Sequence, residues 1–193
     1  FGTLFMGVVG IQTKTVTATS VVTIYNTTPF LNWDTLFPLA IPVPAIGGYV
    51  PGASYYLWGP QAADFASYYS MPSQWKGLIN MNNDSGTDTS TLSAWATSGY
   101  PGTINVGDQL GIVNGGAGNN VGSGLQAFIL VHPFTDTGGT YSMIRNATFN
   151  AYSSSTQKVT ISGFQVFKVY YNDVSAISAQ GIFFGYLNLC GAP

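Results

Sequence analysis

The chain has 193 residues, enough for one domain with a core of its own, but only 6% are charged, none is Glu, and the net charge is −2. Ordinary soluble domains carry roughly 25% charged residues. Twelve Tyr, twelve Phe and four Trp argue against disorder, and five Lys and Arg spread over the chain cannot neutralise the phosphates of a nucleic acid. A neutral surface of hydroxyls and amides suits a protein that is glycosylated, packed against copies of itself, or bathed in acid, where seven carboxylates leave little to titrate.

The chain opens FGTLFMGVVGIQ. No basic region precedes it, so it reads as already processed rather than as an intact signal peptide. The apolar run stops at Ile11, short of the ~20 residues a membrane helix needs, so no membrane span is expected. A type IV pilin also begins with Phe, but continues as a long apolar helix with Glu at its fifth position. Here that position is Phe5, and Gly2, Gly7 and Gly10 disfavour a helix. Leu4, Met6 and Val8 face one side of an extended chain, and Phe5, Val9 and Ile11 the other. A strand apolar on both faces must be covered on both. Two readings follow: a core strand of its own domain, or a donor strand that completes the sheet of the next subunit, reaching about 35 Å at ~3.3 Å per residue. The expected organisation is a donor arm over residues 1–12 and a β-sandwich domain over 13–193.

From Gln12 to Asn26 apolar residues alternate with Thr, as in a half-buried strand. Residues 27–60 hold Pro29, Pro38, Pro42, Pro44, Pro51 and Pro60, which predicts loop and edge strand with a short strand at Ser54–Trp58. Residues 61–70 suit a two-turn helix, 75–81 a short strand, 82–90 a polar loop, and Thr91–Thr97 either a helix or a strand. Gln109–Val113, Leu125–Val131 and Tyr141–Ala151 read as strands. Gln157–Tyr171 and Ile177–Leu189, separated by a turn at Asn172–Asp173, read as an antiparallel hairpin, with Val159, Ile161, Phe167 and Val169 on one face and Phe164, Val166 and Tyr170 on the other. The fold class is therefore all-β, a β-sandwich or Greek key of about eight to ten strands with an extended N-terminal arm.

Chemistry is sparse. His132 is the single histidine, with no partner to share a metal, and no G-x-S-x-G occurs. Two Asp across a cleft remain formally open as a glycosidase pair. Asp84 and Asp88 sit in a polar loop, but Gly86 is misplaced for a calcium loop and no closing Glu exists. No catalytic residue, metal or cofactor is expected. Cys190, unpaired in the chain, suits a small buried hydrophobe. Lys14, Lys158 and Lys168 lie on expected strands, where an isopeptide bond would need a buried Lys, an Asn or Asp, and a neighbouring acid. Three sequons place candidate N-linked glycans at Asn26, Asn83 and Asn146.

Two resemblances bear on function. Residues 99–131, with VTISGFQVFKVYYND and GIFFGYL further on, resemble the extracellular domain of bacterial pilus-assembly proteins of the Tad type, which implies a β-rich extracellular domain without catalytic residues. The processed, nearly uncharged chain with an apolar N-terminal strand and several sequons is similar to archaeal thread-type filament subunits. That resemblance implies a cell-surface homopolymer in which Leu4, Phe5, Met6, Val8, Val9 and Ile11 are donated to the adjacent subunit. A secreted carbohydrate-binding module, with Tyr and Trp stacking on sugars, is the alternative, and a capsid or surface-layer protein a third.

Overall fold

The computed structural model describes residues 36–43, 49–59, 69–72, 75–82, 89–114 and 118–187. The chain divides into two compact units, Phe1–Asp34 and Thr35–Pro193, and every described residue belongs to the second. The expected arm over 1–12, the strand from Gln12 to Asn26 and most of the helix expected over 61–70 lie outside the described residues.

Eight strands form one mixed sheet: β1 (Leu36–Pro42), β2 (Ser54–Trp58), β3 (Trp75–Asn80), β4 (Gln109–Asn114), β5 (Phe134–Asp136), β6 (Gly139–Ser153), β7 (Lys158–Tyr170) and β8 (Ala179–Leu187). Two helices interrupt them, α1 (Thr89–Ser98) and α2 (Gly118–Val131). The all-β class expected from the alternation holds.

The long hairpin β6–β7 organises the sheet. Its antiparallel register runs from Tyr141↔Tyr170 to Ser153↔Lys158. The free side of β7 is shared, with Leu110 of β4 opposite Val159 near its start and Phe183 of β8 opposite Phe167 near its end. On the free side of β6, β1 pairs in parallel from Leu36↔Arg145 to Pro42↔Phe149, and β5 pairs antiparallel at Phe134↔Tyr141. Pairings β1–β3 at Leu39↔Leu78 and β3–β4 at Ile79↔Ile112 then close a circuit β7–β6–β1–β3–β4. Register shifts on either side of Phe149 mark bulges, which bend strands locally. β3 and β2 meet closely at Gly77, where φ is +97° and a Cβ would lie 2.9 Å from the Leu57 carbonyl oxygen. Only glycine tolerates both conditions.

The expected faces of β7 follow from this geometry. Val159, Ile161, Phe167 and Val169 are buried; on the other expected face Phe164 and Val166 are buried as well, and Tyr170 is partly exposed. The hairpin to β8 is as expected, with a 3-10 turn at Tyr171–Asp173 between the strands. Trp75, Phe149, Phe167 and Phe183 fill the core, and the Trp75 and Phe149 rings meet edge to face at 5.6 Å.

Two expectations are corrected. Leu36–Pro42, within the proline-rich stretch read as loop and edge strand, is a buried strand paired on both sides, with β3 and β6. Proline removes a ladder donor, and β1 accommodates that with a register shift between Leu36 and Ala40 and a single bridge to β3. Leu125–Val131, read as a strand, is the end of helix α2. Val121, Leu125, Phe128 and Ile129 are its buried residues, spaced by four, three and one, which is a helical stripe. Phe128 packs edge to face on Phe37 of β1 at 4.7 Å. Gly122 and Gly124, poor helix formers, stand where the helix is closest to its neighbours: a Cβ would lie 2.2 Å from the Ser175 carbonyl and 2.8 Å from that of Ser93 on α1. Thr91–Thr97 resolves as helix, within α1.

Asn146 and Gln165 are cross-strand neighbours, both fully buried, and Asn146 Oδ1 and both amide atoms of Gln165 have no hydrogen-bond partner. A buried polar group left unpaired costs about 1–3 kcal/mol. Chemical denaturation should therefore show Gln165→Met to be stabilising or neutral, while Phe167→Ala, which empties the centre of the core, should lose about 3–5 kcal/mol.

Candidate assembly surface

The site residues expected from sequence are placed unevenly. Leu4, Phe5, Met6, Val8, Val9 and Ile11, with Asn26, Asn83, Asp84, Asp88, Lys14 and Cys190, lie outside the described residues. Asn146 is described, and the glycan expected there does not fit: its side chain is 0% exposed on the inner face of β6, and its Nδ2 donates to the Ala147 carbonyl at 3.1 Å. A tripeptide pattern carries no information on which way a strand residue points, and here the strand turns the Asn inward.

His132 follows α2. Its backbone N–H donates to the Phe128 carbonyl at 2.9 Å, its ring lies 4.6 Å from that of Phe128, and its carbonyl accepts from Ser142 Oγ at 2.8 Å. Ser142 thus meets the histidine's backbone rather than its imidazole. Burial lowers the His132 pKa and favours the neutral ring. Among the described residues no cluster of three or more His, Cys, Asp or Glu is arranged to hold a metal, and no helix is long and apolar enough to cross a membrane.

Two surface regions stand out. The first lies on β5, β6 and β7. Lys168 Nζ forms an ion pair with Asp136 and sits 4.1 Å from the centre of the Tyr141 ring and 4.8 Å from that of Tyr170. The Tyr170 hydroxyl bonds to both Asp136 oxygens at 3.1 Å, and the Gly138 N–H donates to Oδ1 at 2.8 Å. Phe134 stacks on Tyr141 at 5.5 Å, 24° from parallel. The hydrogen bond with Lys168 is the main cause that lowers the Asp136 pKa, and the reciprocal bond raises that of Lys168. Neither side chain is buried, at 21% exposure for Lys168 and 32% for Asp136, so this lysine does not meet the requirement for an isopeptide bond.

The second region is the outer edge of β8. β2 lies alongside its first half, from Trp58↔Ala179 to Ser54↔Ile182. Gly52 and Ala53 complete that pairing with two backbone bonds to Phe183, at 2.9 and 2.8 Å. The chain then turns away at Pro51, and from Phe184 to Leu187 the outer edge has no strand partner among the described residues. Phe184 and Tyr186 are exposed there, the pairing with β7 shifts register at Phe184, and a Cβ on Gly185 would meet nothing within 4 Å. Tyr186 is tethered by its hydroxyl, which accepts from the Tyr49 N–H at 3.1 Å. Neither β2 (SYYLW) nor β8 (AQGIFFGYL) holds a charge. Sequence reading did not single out this edge, because nothing in the run Ile177–Leu189 shows where its neighbour stops.

No family model, curated protein or solved structure matches the chain.

Two measurements follow. Glycopeptide mapping of the native protein should find Asn146 unmodified. For the ion pair, Asp136 has a lowered pKa, so its contribution is present above the unfolded carboxylate value of about 3.9 and is lost as pH falls through the folded value. Lys168 has a raised pKa, so its contribution is present below the unfolded value of about 10.4 and is lost as pH rises through the folded one. The melting-temperature difference between the native protein and Asp136→Asn should be small and flat from about pH 5 to 9, and should shrink in strong acid.

Proposed function

We propose that this chain is a structural subunit of an extracellular filament, polymerised when the apolar strand Phe1–Ile11 of one copy completes the sheet of the next. The single observation that carries the reading is the double apolar face of that segment, Leu4, Met6 and Val8 opposite Phe5, Val9 and Ile11, in a chain that is almost uncharged. Pairing such a strand satisfies its backbone groups and buries large side chains at about 1.5–3 kcal/mol each, before ordering and association costs. An uncharged stretch of β8 edge without a strand partner among the described residues supports the reading, since strand addition needs such a template. Activity is mechanical in this account, with no catalytic step.

The cluster of Phe134, Tyr141, Tyr170, Lys168 and Asp136 favours one second reading, a carbohydrate-binding module. Sugars stack on exposed rings and hydrogen-bond to ion-paired side chains. That protein would stay monomeric, and Phe134→Ala would abolish glycan binding without changing its oligomeric state.

Deletion of residues 1–12 tests the filament reading. Negative-stain microscopy should show fibres from the full chain and dispersed particles from the truncated one. Normal fibres from the truncated chain would refute it.

A further inference from the structure

Strand addition gives the outer face of the sheet no task. We propose that this face binds a neutral linear glycan along a row of side chains crossing five strands, from Phe134 on β5 to Tyr56 on β2. The proposal rests on the carbohydrate reading for its class of ligand, and adds to it a direction and a length.

The row follows from strand register. Phe134 stands opposite Tyr141, and Tyr141 opposite Tyr170. Residues two apart in a strand share a face, so Lys168 lies on the same side as Tyr170. Lys168 stands opposite Ile182 of β8. Two residues further along that antiparallel pair come Tyr170 and Gln180, and Gln180 stands opposite Tyr56. No register shift interrupts these steps. Across β5, β6, β7, β8 and β2, one face therefore carries Phe134, Tyr141, Tyr170, Gln180 and Tyr56 in succession. Phe134 and Tyr56, at the two ends, are 48% and 40% exposed, and the three residues between them are half-buried. Four strand spacings of about 4.8 Å put the end rings roughly 19 Å apart.

The chemistry along the row matches a chain of pyranose rings. A pyranose has an apolar C–H face that stacks on an aromatic ring, and a rim of hydroxyls that need hydrogen-bond partners. Phe134 and Tyr56 supply the exposed rings. Between them stand the Asp136 carboxylate, the Lys168 ammonium, the Tyr170 hydroxyl and the Gln180 amide, which together accept from and donate to hydroxyls. Asp136 and Lys168 are already held by each other, by the Gly138 N–H and by the Tyr141 and Tyr170 rings. Groups fixed in advance lose little side-chain entropy when a ligand binds. The row's one cation and one anion neutralise each other, which favours a neutral ligand over an anionic one.

The test is calorimetric titration of the full chain with cello-, manno- and chito-disaccharides and with the corresponding hexasaccharides. One of the hexasaccharides should bind at least about tenfold more tightly than its disaccharide, because only the longer chain reaches both end rings. Tyr56→Ala should weaken that binding by about tenfold, and Phe134→Ala should abolish it. Both side chains are exposed, so both variants should keep the native melting temperature, which separates lost binding from lost folding. Full hexasaccharide affinity in Tyr56→Ala would overturn the extended row and leave the carbohydrate reading of the Phe134 cluster intact. Failure of the native chain to bind any of these glycans would overturn both. Tighter binding of a hyaluronan hexasaccharide than of the neutral ones would overturn the assignment of a neutral ligand. Fibre formation is decided separately, by deletion of residues 1–12.

Discussion

The hairpin of β6 and β7 carries the rest of the described sheet, because β7 has more neighbours than one straight strand can hold. Its inner side is paired with β6 from end to end, while its outer side is divided between β4 and β8. Register shifts around Phe149 interrupt the β6–β7 ladder, as bulges do. Val159, Ile161, Phe167 and Val169 of β7 are buried in the core. β2 lies beside the first half of β8, and among the described residues no strand pairs with the outer side of its second half.

Among the buried polar residues Asn80, Ser142, Asn146, Thr148 and Gln165, Asn146 and Gln165 face each other across the hairpin with unmet hydrogen bonds. Register in an antiparallel pair is set by which residues point inward, since a slip of one residue exchanges the faces. Two amides that cost stability at the centre of the longest pairing mark a place where the sheet is not optimised for stability alone. The outer face is arranged differently. Lys168 and Asp136 satisfy each other between tyrosine rings, which blunts the β5 edge against unwanted pairing.

A subunit joined by strand addition needs an arm that is insoluble alone and a domain stable enough to wait for it. The proposed division of labour fits a chain with so few charges. Edge protection is commonly electrostatic, and a nearly neutral chain has few charges to spend on it. In this domain the described ion pair lies on β5 and β7, away from the second half of β8.

Much of the fold was legible in the residues. Alternation along Gln157–Tyr171 and Ile177–Leu189 is a local property of each strand, and it predicted β7, β8 and their turn. The all-β class followed from the same signal. Prolines hid β1, because the rule against proline in a sheet gives way where the ladder is irregular. The run Leu125–Val131 hid a helix, because seven contiguous residues are too few to separate a period of 3.6 from a buried strand. The sequon at Asn146 misled for a related reason, since exposure belongs to the folded sheet. The sequence by itself determined the strand-forming segments, the neutral surface and the doubly apolar arm. Only the tertiary structure decided which side chains are inside and where, among the described residues, one strand's pairing stops, because that neighbour comes from a distant part of the chain.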